Sequence, residues 1–296
     1  MEYQEHQPAA PLSRYVKCYW TLRDEPLRGE GTADRILPDG CTEWIVQLGD
    51  PMVESRGGGG FRTQPAQLIV GQTTQPFVIR PTGNVSTFGV RLWPGAAHLL
   101  IGLPERGLTD VAADAAPLLD GPGRLVHAAL RGARSGEARC ALMDEFLRRR
   151  LSGVRAECDP ILHTCRSIVG QGGRTSVESL ANDVGLSRRQ FERRFLAAVG
   201  IPPKLLARIV RFRSVFARLA GGNAAVRWAD IAASAGYYDQ SHLVRDFRQF
   251  AGLSPRDYLR QEHALADAIL GFGAGARQIS NGQIGTADGT VSRCRT

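Results

Sequence analysis

The chain has 296 residues, 43% of them hydrophobic and 22% charged, and that length suggests about two domains with ordinary globular cores. A formal net charge of +8 favours an anionic partner, and no run approaches the roughly 20 apolar residues of a membrane-spanning helix. The polar start MEYQEHQPAAP holds no secretory signal, and the six cysteines (Cys18, Cys41, Cys140, Cys158, Cys165 and Cys294) form no C-x-x-C pair. Reduced thiols and a cytoplasmic location are therefore expected.

In chain order, an apolar-aromatic run (Leu12, Tyr15, Val16, Tyr19, Trp20) leads into a series of strand-like segments. These are Ala33 to Gly40, Thr42 to Asp50, Ala66 to Thr73, Gln75 to Gly83 and Ser86 to Gly95, separated by Gly, Pro and Asp turn signals. Closely spaced short strands predict a small barrel or jelly roll. The run SRGGGG (Ser55 to Gly60) lacks the following Lys-Ser/Thr of a phosphate cradle and reads as a hairpin loop. Alternation in TEWIVQL puts Glu43, Ile45 and Gln47 on one face and Trp44, Val46 and Leu48 on the other. Arg35, Asp39, Glu43, Trp44, Arg80 and Trp93 are candidates to line a pocket, with none assigned as a ligand contact. His6, His98, His127 and His163 are scattered rather than clustered, so no metal and no cofactor are expected.

After Pro94-Gly95 the pattern turns helical. Ala96 to Pro104 predicts a short helix, and Gly123 to Leu151 one or two more, with Ala141, Leu142, Phe146 and Leu147 inward. Arg148, Arg149 and Arg150 then complement the negative end of the helix dipole. The apolar pattern lapses near Ser152 to Asp159, closing a first domain at 1–155.

From Asp159 to Glu262 there are sixteen basic residues against nine acidic ones, so nearly all the excess charge sits here, as phosphate binding would require. This region contains an internal repeat. Leu180-Ala181, Gly185, Phe191, Phe195, Gly200 and Pro203 recur as Ile231-Ala232, Gly236, Leu243, Phe247, Gly252 and Pro255, with one residue added in the later turn. Each copy reads as a helix, a glycine turn and a capped second helix, which is a helix-turn-helix pattern. Between the copies, Leu205 to Ala220 predicts a linker helix (Leu206, Ile209, Val210, Phe216, Leu219) ended by Gly221-Gly222. Beyond Glu262, 263–296 is poor in apolar residues and is expected to be a disordered tail.

The two copies, with Leu186-Ser187, Arg194, Tyr237, Asp239-Gln240-Ser241-His242, Ser254 and Tyr258, resemble the DNA-binding domain of the AraC/XylS family of bacterial transcription regulators. Leu243 departs from that pattern, standing where an aromatic is common, and Pro202-Pro203 is unusual in the first copy. ILPDG (Ile36 to Gly40) and GVRLWPGAA (Gly89 to Ala97) resemble the β-rich sensory domains of some members. The expected architecture is α+β: an N-terminal barrel or jelly-roll-like domain with trailing helices, then an all-α domain at 159–262 with two helix-turn-helix units joined by a linker helix.

On the first recognition helix the outward residues are Arg188, Arg189, Glu192 and Arg193, and the resemblance puts Arg189, Glu192 and Arg193 at base-facing positions. Arg can fork onto guanine O6/N7, and Glu can accept from cytosine N4. On the second they are Gln240, Ser241, Val244 and Arg245, where Gln suits adenine and Val a thymine methyl. Tyr237 and Tyr238 are expected to pack, while His242 reads as a phosphate contact or a packed residue. The expected function is a non-enzymatic, sequence-specific transcription factor on double-stranded DNA. RNA polymerase, a small-molecule effector and a second copy of the chain are further candidate partners. The alternative, a DNA-tethered enzyme of the alkylation-repair type, would use Cys18 or Cys41.

Overall fold

The structure, a computed structural model, describes residues 2–24, 32–102, 105–119, 121–152, 159–220 and 227–261. The glycine pair expected to end the linker helix and the 263–296 tail lie outside them. The strands are β1 (Glu2–His6), β2 (Val16–Asp24), β3 (Asp34–Ile36), β4 (Thr42–Gln47), β5 (Met52–Arg56), β6 (Arg62–Thr63), β7 (Gln67–Val70), β8 (Phe77–Pro81), β9 (Val85–Leu92) and β10 (Ala112–Asp114). They form two antiparallel sheets, ordered β1-β2-β9-β4-β7-β10 and β3-β8-β5-β6. The apolar-aromatic run divides into a 3-10 turn at Leu12–Arg14 and β2, a nine-residue strand pairing β1 and β9. The glycine run joins β5 to β6 as a hairpin, with Gly57 and Gly58 at positive φ.

Alternation along β4 is resolved by what covers each side. Glu43, Ile45 and Gln47 line a cavity between the sheets. Trp44 and Val46 turn the other way into the core shared with the trailing helices, where the Trp44 ring meets Phe146 at 5.6 Å.

Those helices are α1 (Ala97–Leu100), α2 (Gly121–Gly132) and α3 (Gly136–Leu151). The expected inward stripe of α3 is displaced. Leu147 is buried as expected and Met143 joins it, whereas Ala141 and Leu142 are exposed and Phe146 is half-buried. Polar anchoring sets the rotation: Asp144 accepts from the Tyr19 hydroxyl at 2.7 Å and from the Ala9 N–H. A line through Cys140, Met143, Asp144 and Leu147 therefore faces the sheet. Arg150 reaches past the helix end to the carbonyl of Leu100.

The C-terminal part comprises α4 (Pro160–Gly170), α5 (Val177–Asp183), α6 (Arg188–Val199), α7 (Pro203–Ala220), α8 (Trp228–Ala235), α9 (Gln240–Ala251) and α10 (Pro255–Leu259). Pro203 opens α7, where a missing N–H costs nothing. Its buried face includes Phe212 and Val215, which the expected stripe omitted, while Val210 is only half-buried. The Phe212 ring lies 5.2–5.3 Å from Phe216, Phe247 and Phe250, so one side chain joins the linker to the second unit. Beside it the buried Asp246 of α9 accepts from Arg208 of α7 at 2.6 Å. Phe212→Ala should cost about 3–5 kcal/mol of stability, read as a lower urea midpoint; an unchanged midpoint would remove Phe212 from its central place.

Candidate nucleic-acid interface

Capping sets the start of each recognition helix. Ser187 and Gln190 form a reciprocal capping box on α6, and Asp239 accepts from the His242 N–H on α9. The first turns of both helices are thus fixed where base contacts would be made. Phe191, Phe195 and Val199 of α6, and Leu243, Phe247 and Phe250 of α9, are buried, which rotates the opposite faces outward.

Arg188, Arg189 and Arg193 are exposed, and Glu192 is half-exposed with its carboxylate 3.2 Å from Arg188 Nε. On α9, Gln240, Ser241 and Arg245 are exposed, while Val244 is half-buried against the helical core. Of the two turn tyrosines expected to pack, Tyr237 does and Tyr238 does not. Tyr237 is buried and its ring meets His242 edge-on at 5.1 Å, so both pack. Tyr238 is 94% exposed beside the start of α9.

The basic excess is not spent on one task. Arg208 bonds Asp246, Arg213 bonds Asp39, Arg174 and Arg218 both reach the Ser234 carbonyl, and Arg166 reaches the Arg14 carbonyl. These five hold the protein together. Arg188, Arg189, Arg193, Arg194, Arg245 and Arg248, by contrast, are exposed along the two recognition helices.

Both recognition helices end against the N-terminal domain. Gly200 caps α6 at φ +81°, and a Cβ there would lie 2.8 Å from the Glu105 carbonyl oxygen. The Thr109 hydroxyl donates to the Gly200 carbonyl at 2.7 Å. Gly252 caps α9 at φ +71°, with Arg35 Nη1 3.1 Å from its would-be Cβ. The two sequence motifs of the N-terminal domain supply the rest of this seam. Gly40 of ILPDG sits against Leu206 of α7, Leu37 joins the helical core, and Gly95 of the GVRLWPGAA run lies against Cys165 of α4.

Residues 180–261 match the family model described as a helix-turn-helix domain. The C-terminal segment is an AraC-type helix-turn-helix domain. The protein is accordingly a DNA-binding transcription regulator. Residues 4–114 match a domain of unknown function, DUF6597. Among solved structures the chain is similar to ToxT from Vibrio cholerae, at 10% identity over 87% of this chain and 98% of that one, with a TM-score of 0.45. It is also similar to unsaturated fatty acid-bound ToxT from Vibrio cholerae strain SCE256, at 11% identity over 87% and 95%, with a TM-score of 0.43. No curated protein matches the chain. No helix among the described residues is long and apolar enough to cross a membrane.

Behind the AraC-type domain, the cavity between the sheets measures about 70 Å³, several times the ~10–15 Å³ that holds one water. Its polar wall is built around Arg91, whose side chain is 1% exposed. Arg91 donates from Nε to Glu43 at 2.5 Å, and from Nη1 to Glu5 at 3.1 Å and the Tyr3 hydroxyl at 3.2 Å. Asp39 lies 3.5 Å from Arg91 and 3.3 Å from Arg213 of α7. Burial opposes ionisation of Asp39, but these two guanidiniums prevail and hold its carboxyl down at about 2. One carboxylate therefore belongs both to the cavity wall and to the grip on the linker helix. Of the candidate pocket residues only Asp39 and Glu43 line this cavity. Arg35 is at the seam, Trp44 faces the helices, Arg80 stacks over Phe61, and the Trp93 indole donates to the Ser13 carbonyl. Arg91 was not among the candidates, although an arginine between Val90 and Leu92 in an apolar strand is a detectable signal.

Cys18 and Cys41 are buried, and burial pushes both thiols up to about 12, which suppresses the thiolate a methyl-accepting reaction needs. Glu105 matters more for behaviour in solution. It is fully buried beside the end of α6, accepts from the Thr42 hydroxyl at 2.6 Å, and is raised by burial from 4.5 to about 8. The folded state thus keeps a proton there that the unfolded chain releases near 4.5. Stability should be fullest below that value and fall, by at most about 1.4 kcal/mol per pH unit, as pH rises to about 8. In urea titrations from pH 5 to 8.5, Glu105→Gln should remove this part of the slope; an identical slope in the variant would clear Glu105 of the role.

Proposed function

We propose that the protein reads a bipartite DNA site with α6 and α9, and that occupancy of the N-terminal cavity by a small-molecule effector adjusts how the two helices are held. In this reading Arg188, Arg189, Glu192 and Arg193 make the contacts of the first half-site, and Gln240, Ser241, Val244 and Arg245 those of the second. Arg189 and Arg193 suit guanine, Gln240 suits adenine, and the half-buried Val244 offers a methyl surface to thymine. Tyr238 joins them as a backbone or base contact, since it is 94% exposed beside the start of α9. Half-sites about 34–36 Å apart, one helical turn, fit two helices entering successive major grooves. A cytoplasmic regulator acting with RNA polymerase completes the reading.

The observation that carries it is the common anchoring of the helices. Two capped, basic, outward faces end on left-handed glycines pressed against one N-terminal body, and α7 between them is gripped by a cavity-wall carboxylate. A ligand that perturbs Asp39 changes the relative energies of arrangements of α7, which is the differential interaction that an effector needs.

Selection of genomic fragments with the full chain, followed by binding across a salt series, tests the DNA-reading part. A bipartite motif with a steep salt slope is expected. On that motif Arg193→Ala and Arg245→Ala should each cost about 1–3 kcal/mol and relax preference at one position of their own half-site. Retention of both affinity and preference in both variants would reject these helices as the readers.

A further inference from the structure

Resting on the reading of the cavity as an effector site, we propose that it takes a small organic cation, an amine or ammonium group on a compact apolar body. The first support is which charges are reachable. Among the described residues, the charged lining consists of Asp39, Glu43 and Arg91. The two carboxylate side chains keep 12% and 17% exposure, while Arg91 keeps 1%. Arg91 also spends Nε and Nη1 hydrogens on Glu43, Glu5 and Tyr3. An entering anion would meet carboxylate oxygens with the only lining guanidinium set behind them. An entering cation meets those same oxygens with attraction, at low local dielectric, the charge resting on Asp39 because burial raises the Glu43 carboxyl.

The rest of the lining favours the same class. Tyr3, Trp20 and Phe77 contribute aromatic rings, with Tyr3 and Trp20 6.0 Å apart. Aromatic faces stabilise cations and leave anions unrewarded, and this wall already holds one such pair, the Arg56 guanidinium 3.8 Å over Phe77. Ile36, Ile45, Met52, Val70 and Ile79 supply the apolar surface for the body of the molecule. A carboxylate pair and aromatic rings in an apolar cavity together describe a recognition site rather than a packing defect.

Three probes with one ring and different heads separate the possibilities: cyclohexylamine, cyclohexanol and cyclohexanecarboxylate, titrated calorimetrically into the full chain at pH 7. Each is repeated with Ile45→Phe, which fills the cavity without altering its charges. The ammonium probe should bind at least tenfold more tightly than the alcohol, the carboxylate should not bind measurably, and Ile45→Phe should abolish binding. Equal or tighter binding of the alcohol or the carboxylate, lost in Ile45→Phe, would overturn the assignment of a cation while keeping the cavity as a ligand site. Binding of none of the three, or binding indifferent to Ile45→Phe, would remove the cavity as a ligand site and this proposal with it. Since the wild-type comparison needs no variant, the ranking of heads stands as a test even if Ile45→Phe fails to fold.

Discussion

The close approach of the N-terminal domain to the glycine-capped ends of α6 and α9 is the constraint on which the rest depends. A residue with a side chain at Gly200 would place its Cβ inside van der Waals distance of the Glu105 carbonyl, and the left-handed φ there would be strained in any case. The same holds more mildly for Gly252 against Arg35 and Pro76. Because both recognition helices terminate on these contacts, their separation is set by the N-terminal domain as well as by the linker helix. Their first turns, fixed independently by Ser187, Gln190 and Asp239, are left to solvent.

Charge follows the same division of labour. Arginines facing inward are committed: Arg208 to Asp246, Arg213 to Asp39, and Arg91 to three carboxylates. Removing one partner of such a buried group leaves the other uncompensated, and that loss is far greater than the net worth of the pair. The committed arginines therefore fix relative positions, whereas the exposed ones on α6 and α9 remain available to phosphates and base edges. Asp39 joins two of the committed arginines, one in the cavity wall and the other on the linker.

Periodicity exposed most of the helices, though not α4 or α10, and half of the described strands, but it could not say which neighbour would claim each face. On α3 the apolar stripe alone put Ala141 and Leu142 inward. The bond from Tyr19 to Asp144 turns the helix so that Met143 joins the expected Leu147 against the sheet and Ala141 and Leu142 face out. Tyr237 and Tyr238 are adjacent in sequence and chemically alike, yet one packs on His242 and the other projects into solvent. Val244 shares a helical face with Gln240 and Arg245 but is close enough to the flank to touch the core. In each case the deciding contact comes from a distant segment or from a local rotation that spacing does not encode.

The sequence by itself determined the repeat, the caps, the glycine-ended recognition helices and the β-rich character of the first domain. These follow from local stereochemistry: a hydroxyl or carboxylate at an N-cap, a left-handed residue at a helix end, and side chains alternating along a strand. Only the tertiary structure decided that Gly40, Gly95, Gly200 and Gly252 meet the opposite domain, and that Glu43 rather than Trp44 faces the cavity. It also decided that Arg91, Asp39 and Arg213 form one chain of charges from cavity to linker. Those residues come from segments up to 174 positions apart, and their meeting depends on how two domains close on each other, for which no local pattern in either segment can carry the information.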